Sequence, residues 1–144
     1  MIVHLLDVNV LIALLDPEHV HHDIAYTWLE QRGDAPWATC PLTENGVLRI
    51  MGRSSYPGSP GSPADIVPLL QSLLDLPTHE FWPDDLSLLD RRWVDPDKLL
   101  NANHLTDTYL LALAVKHGGS LATFDRRLSI LAVPGGREAL TVIP

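Results

Sequence analysis

Apolar positions along the chain follow two alternating rhythms. Short runs of strand length occur at Ile2–Leu6, Trp37–Cys40, Thr78–Trp82, Ser120–Asp125 and Ala139–Ile143. Between them, apolar residues recur every three or four positions, the spacing of amphipathic helices. The first helical stretch follows Asn9, and the second carries Ile24, Ala25, Trp28 and Leu29 before Gly33-Asp34 ends it. The third starts at Pro41-Leu-Thr43-Glu44, with Val47, Leu48 and Met51 as its stripe. Further helices are predicted over Ala64–Leu76, over a short span from Asp84-Asp85 to Trp93, and from a Thr106 cap to Gly118. Residues Arg126–Leu128 read as one more short helix. Between Tyr109 and Val115 the pattern is apolar all round, which predicts a central buried helix. Strands alternating with helices predict an α/β domain built on a mainly parallel sheet of about four to five strands.

One stretch breaks the rhythm. Residues 52–63, Gly-Arg-Ser-Ser-Tyr-Pro-Gly-Ser-Pro-Gly-Ser-Pro, hold little that packs and predict a mobile loop. Neither flank is self-sufficient, so the loop is expected inside a single domain spanning 1–144. The length of 144 residues, with 46% hydrophobic and 19% charged residues, suits one ordinary soluble domain. Cys40 is the only cysteine, which excludes a disulfide framework and points to a reducing, cytoplasmic setting. No Lys or Arg precedes the first apolar run, and Asp7 and Asn9 interrupt it, so it does not read as a signal peptide. No stretch reaches the roughly 20 apolar residues of a membrane helix.

The net charge of −8 argues against a broad, sequence-indifferent grip on nucleic acid. It leaves a nuclease open, because metal-binding carboxylates make such sites acidic. Asp7 and Asp125 end predicted strands, while Glu44 and Asp107 begin predicted helices. Each taken alone also suits a helix cap or a first-turn acid. In a parallel sheet, however, strand carboxyl ends and the amino ends of the following helices share one edge, so the four should meet. Four carboxylates packed without a cation would raise one another's pKa values. A hard divalent ion relieves that conflict, and an all-oxygen set selects Mg²⁺ or Mn²⁺. Such a site handles phosphates. With no P-loop and no Ser-His or Cys-His pairing, water attack on a phosphodiester fits best. His19-Val-His21-His22-Asp23 reads as a polar helix start, since a metal role needs convergent geometry. Asp84, Asp85 and Asp90 read as helix-start and solvent-face charges.

Taken in order, Asp7-Val-Asn9-Val-Leu-Ile-Ala-Leu, Thr43-Glu44, Thr106-Asp107 and Leu121-Ala-Thr123-Phe-Asp125-Arg-Arg-Leu resemble the PIN domain. The length and the His21-His22 to Trp28 helix resemble, more narrowly, the VapC toxins of toxin–antitoxin pairs. The resemblance covers essentially the whole chain. It implies a Mg²⁺-dependent endoribonuclease acting on structured RNA such as tRNA or rRNA, a VapB-like antitoxin and a homodimer. It maps the family's acids onto Asp7, Glu44, Asp107 and Asp125, with Asn9 and Thr123 in support. Asp7 and Asp107 are expected to contact the metal, with Glu44 and Asp125 completing the cage. Arg126 and Arg127 are the first candidates to hold RNA phosphates, followed by Arg49 and Arg53. Two rivals remain. A haloacid-dehalogenase-like phosphatase wants a second acid where Asn9 stands. A non-catalytic PIN-like module would bind RNA or a partner without cutting.

Overall fold

The computed structural model describes all 144 residues. Five strands form one parallel sheet: β1 (His4–Leu6), β2 (Trp37–Thr39), β3 (His79–Phe81), β4 (Ser120–Thr123) and β5 (Leu140–Val142). Five helices flank it: α1 (Val8–Leu15), α2 (His22–Gln31), α3 (Pro41–Met51), α4 (Pro63–Leu74) and α5 (Leu105–Lys116). Alternation along the strands divides the core between the two faces of the sheet. Leu5, Ala38 and Leu121 pack with α5, while Leu6, Trp37 and Ala122 pack with α1, α3 and α4. The helix expected to be buried is so: Leu110 to Ala114 are all fully enclosed.

The strands lie in the order β3-β2-β1-β4-β5. The chain builds outward from β1 through β2 to β3, then returns past β1 to lay down β4 and β5. The reversal falls between β1 and β4, which pair through His4–Ser120, Leu5–Leu121 and Leu6–Ala122. Open α/β sheets bind their ligands outside the carboxyl ends of the strands at such a switch point. Gly46 lets α3 approach α1 closely, because a Cβ there would fall 2.7 Å from Val8 Cγ2. Gly118, at φ +68°, supplies the left-handed turn that ends α5 as expected.

Several local expectations fail for physical reasons. No helix forms over 84–93, where Leu86 and Leu88 are turned inward while Ser87 and Leu89 face out, a period of two. Asp90 instead turns back to ion-pair with Arg92 at 2.7 Å. Residues 126–128 make a turn and not a helix. Thr106 is not a cap, since α5 already begins at Leu105 after a 3₁₀ turn over Ala102–His104. The stretch 52–63 is tied down at several points. Tyr56 Oη donates to Asp16 Oδ2 at 2.5 Å, and Ser59 Oγ donates to the Met51 carbonyl at 2.8 Å. Ser62 and Asp65 then close a capping box at the start of α4.

Candidate active site

Asp7 directly follows β1 and occupies the N-cap of α1. It is 6% exposed, and its two oxygens have separate tasks. Oδ1 accepts the Val8 N–H at 2.7 Å, so the ordinary capping role is real. Oδ2 accepts the hydroxyl of Thr123, at the end of β4, at 2.8 Å. Thr123 is fully buried, and its oxygen also accepts from Asn9 Nδ2 at 3.2 Å and from the Asp125 N–H at 3.1 Å. Asn9 Oδ1 in turn accepts the Phe124 N–H at 3.4 Å. Asn9 therefore supports Asp7 through Thr123, across the two strands that flank the switch point.

Asp7, Asp107 and Asp125 line one cleft of about 350 Å³, together with Val8, Asn9, Ile12, His19, Ile50 and Tyr56. No Lys or Arg lines it. Burial pushes the Asp7 carboxyl up, against the hydrogen bonds from Thr123 and Val8, and the Asp125 charge adds to the rise. Asp107 is half-buried in the first turn of α5, and its carboxyl is pushed up to about 6. Burial is the largest cause there, followed by the like charges of Asp7 and Asp125, with His104 opposing. These three acids therefore repel one another in a cleft that supplies no positive charge.

Glu44 does not line that cleft. In the first turn of α3, it accepts the Thr39 hydroxyl at 2.7 Å. The Thr39 proton is then committed, so His79 Nε2–H donates to the same oxygen at 2.7 Å. The strand before Glu44, β2, pairs directly with β1 on the side opposite β4, so Glu44 follows the strand next to the one that ends in Asp7. Arg126 and Arg127 are exposed on the turn after Asp125, and the Arg127 N–H donates to Asp125 Oδ1 at 2.9 Å. Arg49 and Arg53 are exposed near the far end of α3.

Sequence reasoning missed two lining residues, His19 and Tyr56. Their only signals were the histidine cluster and a single aromatic amid Gly, Ser and Pro. The three histidines do not converge. His19 lines the cleft, His21 stacks on Phe124 at 4.7 Å between centroids, and His22 Nδ1 pairs with the Ala13 carbonyl at 2.7 Å.

No three side chains among the acids, histidines and Cys40 are arranged to close on a single ion. The chemistry of the donors nonetheless fits a hard divalent cation, because two carboxyls held up by burial and mutual repulsion gain from a positive charge between them. Mg²⁺ suits an open arrangement, since it keeps several waters and takes only one or two carboxylates. The phosphatase alternative fits poorly. Asn9 is an amide that holds Thr123 and Phe124 and offers no second acid, and no lysine reaches the cleft.

The sequence pattern of the family described as PIN domain matches residues 4–134. Three proteins of Mycobacterium tuberculosis are similar over nearly their whole length. The one named Ribonuclease VapC44 is 44% identical over 93% of this chain and 94% of its own. Ribonuclease VapC39 is 43% identical over 94% and 98%, and Ribonuclease VapC29 is 42% identical over 88% and 89%. The switch-point acids sit inside the matched region, and the chain belongs to the PIN-domain family, among its VapC-type members.

Proposed function

We propose that this protein is a divalent-metal-dependent endoribonuclease of the VapC type. The observation that carries the reading is the convergence of Asp7, Asp107 and Asp125 in a cleft without a single Lys or Arg. The names of the similar proteins, each a ribonuclease, support the reaction class.

Asp7 and Asp107 would hold the ion, Mg²⁺ or alternatively Mn²⁺, with Asp125 beside them. When bound, the metal supplies Lewis acidity toward phosphate oxygens and eases deprotonation of the attacking water. The remaining tasks belong to the chain itself. Thr123 opposes the upward push of burial on the Asp7 carboxyl and fixes its direction by donating to it. Asn9 and the Asp125 N–H hold Thr123. Glu44, fixed by Thr39 one strand away, extends the acidic edge and acts on water or substrate at the margin of the cleft. Asp125, whose Oδ1 holds the turn through the Arg127 N–H, leaves Oδ2 to orient water. Arg126 and Arg127 take flanking phosphates, with Arg49 and Arg53 in a weaker outer role.

The VapC likeness supports structured RNA, tRNA or rRNA, as the substrate. It supports a VapB-like antitoxin as the inhibitor, a homodimer as the working unit and the cytoplasm as the location. No helix of the chain is long and apolar enough to cross a membrane. The test is incubation of purified total tRNA and rRNA with the antitoxin-free protein in Mg²⁺, beside an EDTA control and Asp7→Ala. Discrete fragments that require both metal and Asp7 are expected. Intact RNA from a folded, Mg²⁺-binding protein would sink the reading in favour of a module that binds without cutting.

A further inference from the structure

The cleft presents a chemical puzzle to the substrate proposed for it. A phosphodiester carries acceptor oxygens, and the acids on the wall are acceptors too. All four arginines named above lie outside the lining. A donor is needed inside. Tyr56 is not available, because its hydroxyl proton goes to Asp16. Asn9 Nδ2 gives one of its two protons to Thr123 while Oδ1 accepts the Phe124 N–H, so this amide is held in the Asp7–Thr123 network and keeps one further N–H.

With Tyr56 committed to Asp16, His19 is the lining residue whose non-acidic polar side chain stands outside the Asp7–Thr123–Asn9 network. Its Nδ1 accepts the His21 N–H at 3.0 Å. An imidazole nitrogen that accepts carries no proton, so in the neutral ring the proton sits on Nε2. No protein group accepts from Nε2. The ring is also held in place. His19 lies 5.7 Å from His21 between centroids, and His21 stacks on Phe124 at 4.7 Å and 22°. Phe124 stands between Thr123 and Asp125, so this ladder of three rings ties His19 to the strand end that carries the acid site. Burial, and next the neighbouring His21, keep His19 below its ordinary value, with Asp16 opposing, which agrees with a neutral ring.

We infer that His19 is a substrate-positioning residue whose neutral Nε2–H donates to a non-bridging phosphate oxygen of the RNA backbone in the cleft. The inference rests on the ribonuclease reading for the identity of the substrate. It assigns an uncharged donor to a residue outside the acidic set and outside the network that holds Asp7. It also explains why the His19–His21 turn precedes α2 as a fixed structure beside the cleft.

The test is the affinity of a fluorescein-labelled hairpin oligoribonucleotide, with Ca²⁺ in place of Mg²⁺ and the probe checked for integrity. His19→Phe keeps a ring but removes the donor, and should weaken binding about tenfold or more, as expected for a hydrogen bond to a charged group. His19→Gln restores an N–H near the Nε2 position and should recover most of the loss. A neutral donor displaces no counterion, so the slope of affinity against salt should not change in either variant. The Mg²⁺-induced rise in melting temperature should also survive in His19→Phe, which separates the role from damage to the acid site. Wild-type affinity in His19→Phe would overturn the inference, as would equal weakness in His19→Gln or a salt slope lowered by about one. Should the variants not fold, the wild-type His19 Nε2 resonance decides by NMR, and no movement on adding the hairpin overturns the contact. A wild-type protein that cuts RNA while His19 variants match it loses this contact alone. One that binds the hairpin through His19 and never cuts loses the ribonuclease reading alone.

Discussion

The Thr123 hydroxyl donates to Asp7 Oδ2 at 2.8 Å while accepting from both Asn9 Nδ2 and the Asp125 N–H. A hydroxyl has one proton and two acceptor positions, and here all are used. The two incoming donors force the Thr123 proton toward Asp7. Thr123→Val preserves shape but removes this hub, stranding a buried carboxylate and two N–H donors. The expected cost is about 1–3 kcal/mol of stability. Cleavage should fall about 10- to 100-fold, with a higher Mg²⁺ requirement, as for lost support behind a metal ligand. Thr123→Ser should behave nearly as wild type. A Mg²⁺ titration of cleavage with parallel thermal melts checks both effects.

The same device recurs one strand over, where buried Thr39 donates to Glu44 Oε2 at 2.7 Å and receives His79. If Thr39 matters because it aims Glu44, then Thr39→Val and Glu44→Gln should fail to add. The double variant should cleave about as slowly as Glu44→Gln alone. Full additivity in kcat/KM would show that Thr39 serves packing and that Glu44 is aimed by something else.

Asp107 makes the metal-free protein pH-sensitive in a defined direction. Its carboxyl moves from 3.8 to about 6 on folding. Between those values the folded state holds a proton that the unfolded chain has lost, so this contribution to stability declines as pH rises. Below the window it vanishes, and above about 6 the full penalty stands. Asp7 moves in the same direction. Asp107→Asn should therefore melt increasingly above wild type as the pH of EDTA-treated protein rises from about 4 to 6. Half-exposure screens the effect to about 1 kcal/mol, or a few degrees. Saturating Mg²⁺ should reverse the order, because only the wild type gains a ligand. A difference in melting temperature that stays flat with pH would remove Asp107 as the source.

Much of this arrangement is legible in the sequence, and what is not has a common cause. Branched runs and all-round apolarity located β1, β4 and α5, because burial dictates those residues directly. Asp7, Asp107 and Asp125 could be brought together because a parallel sheet collects strand ends at one edge. Glu44 was expected with them; it follows the neighbouring strand β2 and is turned to Thr39, a pairing that no local pattern encodes. The 84–93 segment misled because its leucines fit a helical stripe, whereas packing turns Leu86 and Leu88 inward from irregular backbone that bends into a turn at Leu88. Tyr56 and His19 escaped notice because their roles depend on partners far along the chain, Asp16 for the first and the switch-point acids for the second.

A cleft without cations leaves most of the RNA backbone to be met outside it. Arg126 and Arg127 follow Asp125 on a turn held by the Arg127 N–H, so their exposed side chains flank the acid site at a fixed place in the chain. A phosphate contact by a charged side chain releases a counterion, whereas a solvated surface arginine releases none. Arg126→Ala should weaken RNA binding and lower the slope of log affinity against log salt by about one. Its melting temperature should stay within about a degree of wild type, since it removes no buried contact. Binding measured at several salt concentrations separates this from His19→Phe, where affinity falls and the slope holds. An Arg126→Ala slope identical to wild type would return that residue to the solvated surface and pass the role to Arg127.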